Sequence, residues 1–138
     1  MKNIVIDINI LLDFLFKREG HEKVAEIFGI CARGRVTGFV CAHEITTLFY
    51  FLSKSIRDKI KVKKALFGIM GRFKIIEINE ELLSKALSSG IDDFEDAVIE
   101  VSSKVKNAEY IITRNIRDFK KSIVSAISPE EFLVIVKG

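Results

Sequence analysis

The stretch Asn3-Ile4-Val5-Ile6-Asp7 places three consecutive β-branched apolar residues directly before an acid. Three further short apolar runs follow, with cores that read FV, II and YII. Nearly continuous apolar runs, rather than alternating ones, are typical of parallel strands that are covered by helices on both faces. We therefore predict four buried strands: Asn3–Asp7, Thr37–Cys41, Lys74–Ile78 and Glu109–Thr113.

Helical patterns fill the intervals between these strands. Residues 21–32 and 60–73 each place their apolar side chains on one face. Asn79 predicts the start of another helix, and Ser128-Pro129-Glu130-Glu131 combines a capping box with proline at the first helical position. Alternating strands and helices predict an α/β fold: one three-layer domain over residues 1–138, with a central, mostly parallel sheet of four to five strands flanked by helices.

The bulk composition excludes several classes of protein. A chain of 138 residues that is 49% hydrophobic can bury a real core, so disorder is not expected. A net charge of +3 is too small to indicate nucleic-acid binding by itself. Cys31 and Cys41 have no metal-ligand spacing and indicate free thiols in a reducing compartment. Since no signal peptide or membrane-length apolar run is visible, we expect a soluble, cytoplasmic protein without a membrane partner.

Polar side chains follow the predicted strands where parallel sheets place their sites, at the carboxyl ends near a switch in strand order. Asp7 ends the first strand, and Thr113-Arg114-Asn115 ends the last one, with Asp118 soon after. Asp96, in Asp92-Asp93-Phe94-Glu95-Asp96, adds a third acid beside a buried helix face. Each acid also has a purely structural interpretation: Asp7 and Asp93 as helix caps, Asp96 in a first helical turn, and Asp118 at a turn.

Several carboxylates at one cleft repel each other unless they are protonated or bridged by a cation. Oxygen ligands without a His or Cys cluster favour Mg²⁺ or Mn²⁺ over zinc. The combined pattern therefore predicts a divalent metal site.

Three segments, VIDINILLD, DFEDAV and IITRNIRDF, together with the closing ISPEEFL, resemble the PIN-domain ribonucleases, in particular the VapC-like toxins of toxin–antitoxin pairs. The resemblance covers essentially the whole chain. It implies metal-dependent cleavage of RNA with Mg²⁺ or Mn²⁺, a protein antitoxin as partner and a homodimer. The family's metal-binding aspartates fall on Asp7, Asp96 and Asp118, and the residues that support the site and place the substrate fall on Asn9, Thr113, Arg114 and Asn115.

One position departs from the family pattern. The metal-site glutamate expected after the second strand falls on Thr47 in CAHEITTLFYFL, and the nearest glutamate is Glu44, about one helical turn earlier. Either Glu44 takes its place as a catalytic residue, which we favour, or Thr47 acts through water, or the site is weakened. An exposed first-turn glutamate is the structural alternative for Glu44.

Two surface features remain. The basic run between Lys54 and Lys64 is interpreted as a solvated helix face, and Arg114, Arg117, Lys120 and Lys121 are better placed to follow a phosphate backbone. The apolar stretch Leu48–Leu52 is too broad for one helix face to bury, so we expect part of it to be exposed. By the resemblance, this helix would line homodimer and antitoxin surfaces.

Two other functions compete with the nuclease. A PIN fold without activity could serve as a binding module, which Thr47 at the glutamate position keeps open. A receiver-like signalling domain also places aspartates and Mg²⁺ at strand ends. It requires an aspartate at the end of its third strand, where this sequence has Asn79.

Overall fold

The structure is a computed structural model that describes residues 2–138, and its core is a five-stranded sheet in which all paired strands are parallel. The strand order is β3-β2-β1-β4-β5. The chain moves outward from β1 to β3 and then returns to the other side of β1, so the strand order switches between β1 and β4. The strands are β1 (Lys2–Ile6), β2 (Val36–Cys41), β3 (Lys74–Ile76), β4 (Tyr110–Ile112) and β5 (Ser125–Ile127).

Within residues 2–138, six α-helices and one 3-10 turn connect the strands, and a seventh helix follows the last strand. Side chains cap several of them as predicted: Asn79 accepts a hydrogen bond from the Leu82 N–H, and Ser128 forms the full capping box with Glu131. The helices are α1 (Ile8–Leu15), α2 (His21–Ala32), α3 (Ala42–Ser55), α4 (Lys59–Arg72), α5 (Glu80–Leu87), α6 (Phe94–Val105) and α7 (Pro129–Lys137), and the 3-10 turn is Ile116–Phe119.

Two hydrophobic cores lie on opposite faces of the sheet. Alternate residues of a strand point to opposite faces, so Ile4 and Ile6 pack into one core while Val5 packs into the other. The first core is covered by α1 to α4 and α7, and the second by α5 and α6. All three of these strand residues are fully buried, which explains why their sequence is continuously apolar.

The predicted fold class is confirmed, with three layers around a parallel sheet of five strands. The four predicted strands are present with ends shifted by one or two residues, and β5 was not predicted. Since Ser125-Ala126-Ile127 is short, contains two small residues and pairs with β4 alone, it has no apolar run to mark it.

The fold decides two further points from the sequence. A receiver domain has the strand order 2-1-3-4-5, which differs from the order observed here, so that interpretation is wrong. The predicted partial exposure of the stretch Leu48–Leu52 on α3 is confirmed, because Leu48 and Leu52 are buried whereas Phe49, Tyr50 and Phe51 are exposed.

A candidate acidic site at the switch in strand order

Asp7 lies at the centre of the site, between β1 and α1. Its N–H donates to the carbonyl of Ile112 at the end of β4, at 3.0 Å. Its side chain is only 3% exposed and accepts a 2.8 Å hydrogen bond from the Thr113 hydroxyl. Although Asp7 occupies the N-cap position of α1, its side chain makes no capping hydrogen bond. Asp7 is thus the N-cap residue of α1, as the structural interpretation predicted, but its carboxyl bonds to Thr113.

Glu44 lies beside Asp7 although it comes from a different element, the first turn of α3 directly after β2. Its side chain is 2% exposed, and Oε2 accepts a 2.7 Å hydrogen bond from the N–H of Ile8. Among residues 2–138, Oε1 has no hydrogen-bond partner. The alternative of an exposed glutamate is therefore wrong. Thr47 donates its hydroxyl to the carbonyl of His43 in its own helix, at 3.2 Å.

Asp96 and Asp118 lie at the open side of the site. Asp96 is half-buried in the first turn of α6, and its N–H donates to the capping side chain of Asp93 at 3.0 Å, as the capping interpretation predicted. Asp118 is exposed on the 3-10 turn after β4. The two carboxyls line a cleft of about 370 Å³, together with Gly90, Ile91, Asp92, Asp93, Arg117, Lys120 and Lys121.

Three carboxyls of this site, those of Asp7, Glu44 and Asp96, have raised pKa values. Burial raises the pKa of Asp7, and hydrogen bonds from Thr113, Asn9 and the Ile8 backbone offset part of that rise. Burial, followed by the charge of Asp7, raises the pKa of Glu44 well above its usual value. Burial and the neighbouring charges of Asp93, Asp7 and Asp118 raise the pKa of Asp96 to about 7. The site is therefore short of positive charge.

A divalent cation fits this donor set. The unpartnered Oε1 of Glu44 offers a buried oxygen ligand, and Asp7 and Asp96 offer further carboxylates whose mutual repulsion a cation would relieve. Within the described part of the chain, no three His, Cys, Asp or Glu side chains already stand close enough to hold a metal ion. The inner carboxyls are in place, and binding would require the outer ones to move towards them.

The predicted substrate-binding residues divide into two groups. Thr113 is fully buried, bonds to Asp7 and accepts the N–H of Asn115 at 3.0 Å, while Asn9 contributes a hydrogen bond to Asp7. Asn115 is exposed beside the site. Arg114, in contrast to these three residues, forms ion pairs with Asp13 and Glu130.

Arg114 is held by other protein groups. Its Nε donates to Asp13 at 2.8 Å, and its Nη1 donates to Glu130 at 2.9 Å. Its Nη2 approaches Gly20, which has a φ of +85°, so closely that a Cβ there would lie 2.6 Å away. Asp13 is 6% exposed, so the ion pair joins α1 to the segment after β4. The guanidinium is thus engaged in the fold.

Sequence reasoning missed Glu100 and the role of Asp13. Glu100 is 3% exposed on α6, four residues after Asp96. A charged residue between Ile99 and Val101, on the same helix face as Asp96, was the available signal. For Asp13, the acid at a buried position of the apolar α1 was a similar signal, but its partner Arg114 is 101 residues away. Only the fold brings that pair together.

Several comparisons place the chain among known proteins. No curated protein sequence matches it. Its structure matches a chain of VapBC2 from Rickettsia felis bound to a promoter DNA fragment, with a TM-score of 0.74 and 18% identity over 91% of this chain and 98% of that one. It also matches a DNA-bound VapBC from Salmonella typhimurium, with a TM-score of 0.72 and 13% identity over 94% of this chain and 99% of that one. A third match is a toxin–antitoxin complex from Klebsiella pneumoniae, with a TM-score of 0.69 and 21% identity over 91% of this chain and 97% of that one.

Across residues 2–138, no helix is both long and apolar enough to cross a bilayer.

These structural likenesses to solved proteins show the fold, and the family follows from the sequence. The PIN domain family model matches residues 3–117, which include Asp7, Glu44 and Asp96. The predicted resemblance is confirmed, and the chain belongs to the PIN domain family.

Proposed function

We propose that this protein is a metal-dependent endoribonuclease of the VapC-like toxin type, with its active site at the ends of β1 and β4. The observation that carries this proposal is the pairing of two buried carboxyls, Asp7 and Glu44, at the switch in strand order. Burying two acids side by side destabilises the folded state unless protons or a cation neutralise their charge. Mg²⁺ and Mn²⁺ are the cations that best fit oxygen ligands.

Each side chain then has a defined role. When bound to these residues, Mg²⁺ or Mn²⁺ would supply a water of lowered pKa and would offset charge on the phosphate. Asp7 and Glu44 provide the fixed ligands, because hydrogen bonds from Thr113 and the Ile8 N–H hold one oxygen of each. Asp96 and Asp118 complete the ligand set from the open side. Thr113 orients Asp7 and, through the Asn115 N–H, fixes the backbone next to the site.

Basic residues beside the acids support a polyanionic substrate. Arg117, Lys120 and Lys121 line the same cleft as Asp96 and Asp118. Cations that share a cleft with the metal site would bind phosphates next to the scissile one. The affinity from such contacts depends on salt concentration and not on the RNA sequence. Thr113 and Asn115 remain the proposed substrate-placing residues, and Arg114 supports the fold around them.

A protein antitoxin and a homodimer are the partners that we propose. Matching chains occur in structures of VapBC and of a toxin–antitoxin complex from other organisms, which supports a protein inhibitor here. The exposed aromatic side chains Phe49, Tyr50 and Phe51 on α3 offer apolar area suited to such an interface.

The experiment that tests the nuclease is cleavage of total cellular RNA by purified protein with Mn²⁺, with Mg²⁺ and with EDTA. Metal-dependent cleavage that falls at least ~10³-fold in Asp7→Asn supports the proposal, since a metal ligand contributes several kcal/mol to the transition state. Equal cleavage by both proteins would indicate a contaminating nuclease.

A binding module is the second candidate, favoured by Thr47 at the family's glutamate position. It predicts that Mn²⁺ raises the melting temperature of the wild type and not of Asp7→Asn, while neither protein cleaves RNA.

A further inference from the structure

A buried carboxylate outside the metal-ligand set, Glu100, connects the two walls of the acidic cleft. Its Oε1 accepts a hydrogen bond from the Ser89 hydroxyl at 2.5 Å, and its Oε2 accepts one from the Ile123 N–H at 2.7 Å. The side chain is 3% exposed. Both oxygens are therefore occupied by protein donors, and neither is free to bind a metal or a substrate.

The two donors adjoin the two chain segments, residues 90–93 and 117–121, that form the walls of the cleft. Ser89 directly precedes the first segment, and its Oγ also accepts the N–H of Ile91 at 3.0 Å. Ile123 closely follows the second segment, which contains Asp118. Glu100 itself is on α6, four residues and about one turn after Asp96. Its side chain thus connects its own helix to the two segments that flank the outer carboxyls.

We propose that Glu100 is a positioning residue that sets the distance between Asp96 and Asp118 in the cleft. This inference depends on the proposed nuclease function, because the geometry that it controls is that of the outer metal ligands. Hydrogen bonds to a buried carboxylate are stronger than neutral ones, and their loss leaves buried donors without partners. Without Glu100, the Ser89–Asp93 and Lys120–Ile123 segments separate, and the two aspartates no longer reach one ion together.

The test compares Glu100→Ala, Glu100→Gln, Ser89→Ala and the control Ser103→Ala. Glutamine keeps an oxygen for the Ile123 N–H and can donate its amide to Ser89 Oγ, so it is the conservative variant. Ser103 is buried on the same helix, but its hydroxyl donates to the Ile99 carbonyl of that helix at 2.7 Å and reaches neither wall. Its removal controls for general loosening of α6.

Amide hydrogen exchange gives the readout that does not depend on activity. In Glu100→Ala, exchange at Ile123 is expected to rise at least ~10-fold, by the loss of its hydrogen bond of about 1.4 kcal/mol or more. Exchange at Ile91 should rise less, because its acceptor Ser89 Oγ remains but is no longer held by Glu100. Ser89→Ala should raise exchange at Ile91 more than at Ile123. Ser103→Ala should change neither amide.

The functional readouts are the Mn²⁺ concentration for half-maximal cleavage, kcat and KM. For Glu100→Ala we expect the half-maximal Mn²⁺ concentration to rise and kcat to fall ~10-fold each, with KM nearly unchanged. Glu100→Gln should recover most of both. If Glu100→Ala does not fold, Ser89→Ala must show a smaller shift in the same direction.

Two outcomes contradict the inference in different ways. Faster exchange in an active Glu100→Ala protein with wild-type Mn²⁺ dependence would leave Glu100 a purely structural residue. Wild-type protein that neither cleaves RNA nor is stabilised by Mn²⁺ would overturn the proposed function itself and, with it, this role.

Discussion

Two halves of the acidic site are built in different ways, and we call them the inner half (Asp7 and Glu44) and the outer half (Asp96 and Asp118). The inner carboxyls are at most 3% exposed; Asp7 directly follows the central strand β1, and Glu44 lies in the first turn of α3 after β2. The outer carboxyls stand in the first turn of α6 and in a 3-10 turn, beside an open cleft. The inner half is therefore buried against the sheet, and the outer half lies at the solvent-accessible side.

Each half also has its own buried support. For the inner half, the Asp13–Arg114 ion pair fixes the residue that follows Thr113, and Thr113 bonds to Asp7. For the outer half, Glu100 connects both walls of the cleft. Under the proposed function, we therefore expect the inner half to present its ligands in fixed positions and the outer half to adjust when a metal binds.

The largest expected difference between the halves is in cleavage. Glu44→Gln should lower kcat/KM by ~10²–10³-fold, because its fixed Oε1 is a ligand for which no other group can substitute. Asp118→Asn should lower it only ~10-fold, since water can replace an exposed ligand. Single-turnover cleavage of one RNA with Mn²⁺ measures both, and equal losses would remove the distinction between the halves.

Thr47→Glu is the control for this comparison. It introduces a carboxyl at the position to which the sequence resemblance assigned the family's glutamate, about one turn from Glu44 on α3. We expect it to leave cleavage within ~3-fold of the wild type and not to rescue Glu44→Gln. Rescue would show that the site lies further along α3 than proposed.

The sequence predicted these two halves unequally. Asp7 and Asp96 could be found because an acid at a strand end, or beside an apolar helix face, is a local pattern. That Glu44 is buried against Asp7 could not be derived, because a first-turn glutamate is usually solvated and only the sheet brings α3 beside α1. The ion pairs of Arg114 could not be derived for the same reason: a local motif shows a cation near the site, while its partners Asp13 and Glu130 come from distant segments.

A second prediction concerns the support of the inner half. Asp13→Asn should lower the free energy of unfolding by about 2–3 kcal/mol, because it weakens a nearly buried ion pair and leaves the Arg114 guanidinium under-compensated. Arg18→Gln removes the exposed partner of the same aspartate, 3.6 Å away, and should cost less than about 0.5 kcal/mol. Urea unfolding of both variants provides the measurement. Similar losses would show that Arg114 is not the main partner of Asp13.

The smallest expected effect is on the pH dependence of stability without metal. The folded-state pKa values of Asp7, Glu44 and Asp96 are raised, so the folded protein binds more protons than the unfolded chain above about pH 4. Its stability should therefore fall as the pH rises from 5 to 8. In EDTA, we expect a loss of about 1–2 kcal/mol over this range, measured as a decrease in melting temperature of a few degrees.

Salt should distinguish the contribution of the inner half to this pH dependence of stability from that of the outer half. The effect of the inner half comes first from burial and should persist in 0.5 M NaCl, a concentration at which the Debye length is on the order of 4–5 Å. Burial is also the largest cause of the raised pKa of Asp96, but repulsion from Asp93, Asp7 and Asp118 adds to it and should be screened by salt. Asp96→Asn should therefore remove the salt-sensitive part of the slope together with a smaller part that persists in salt. Glu44→Gln should remove part of the salt-insensitive slope. A wild-type slope that vanishes in salt would mean that the inner carboxyls are as accessible to solvent as the outer ones, because only accessible charges are screened to that extent.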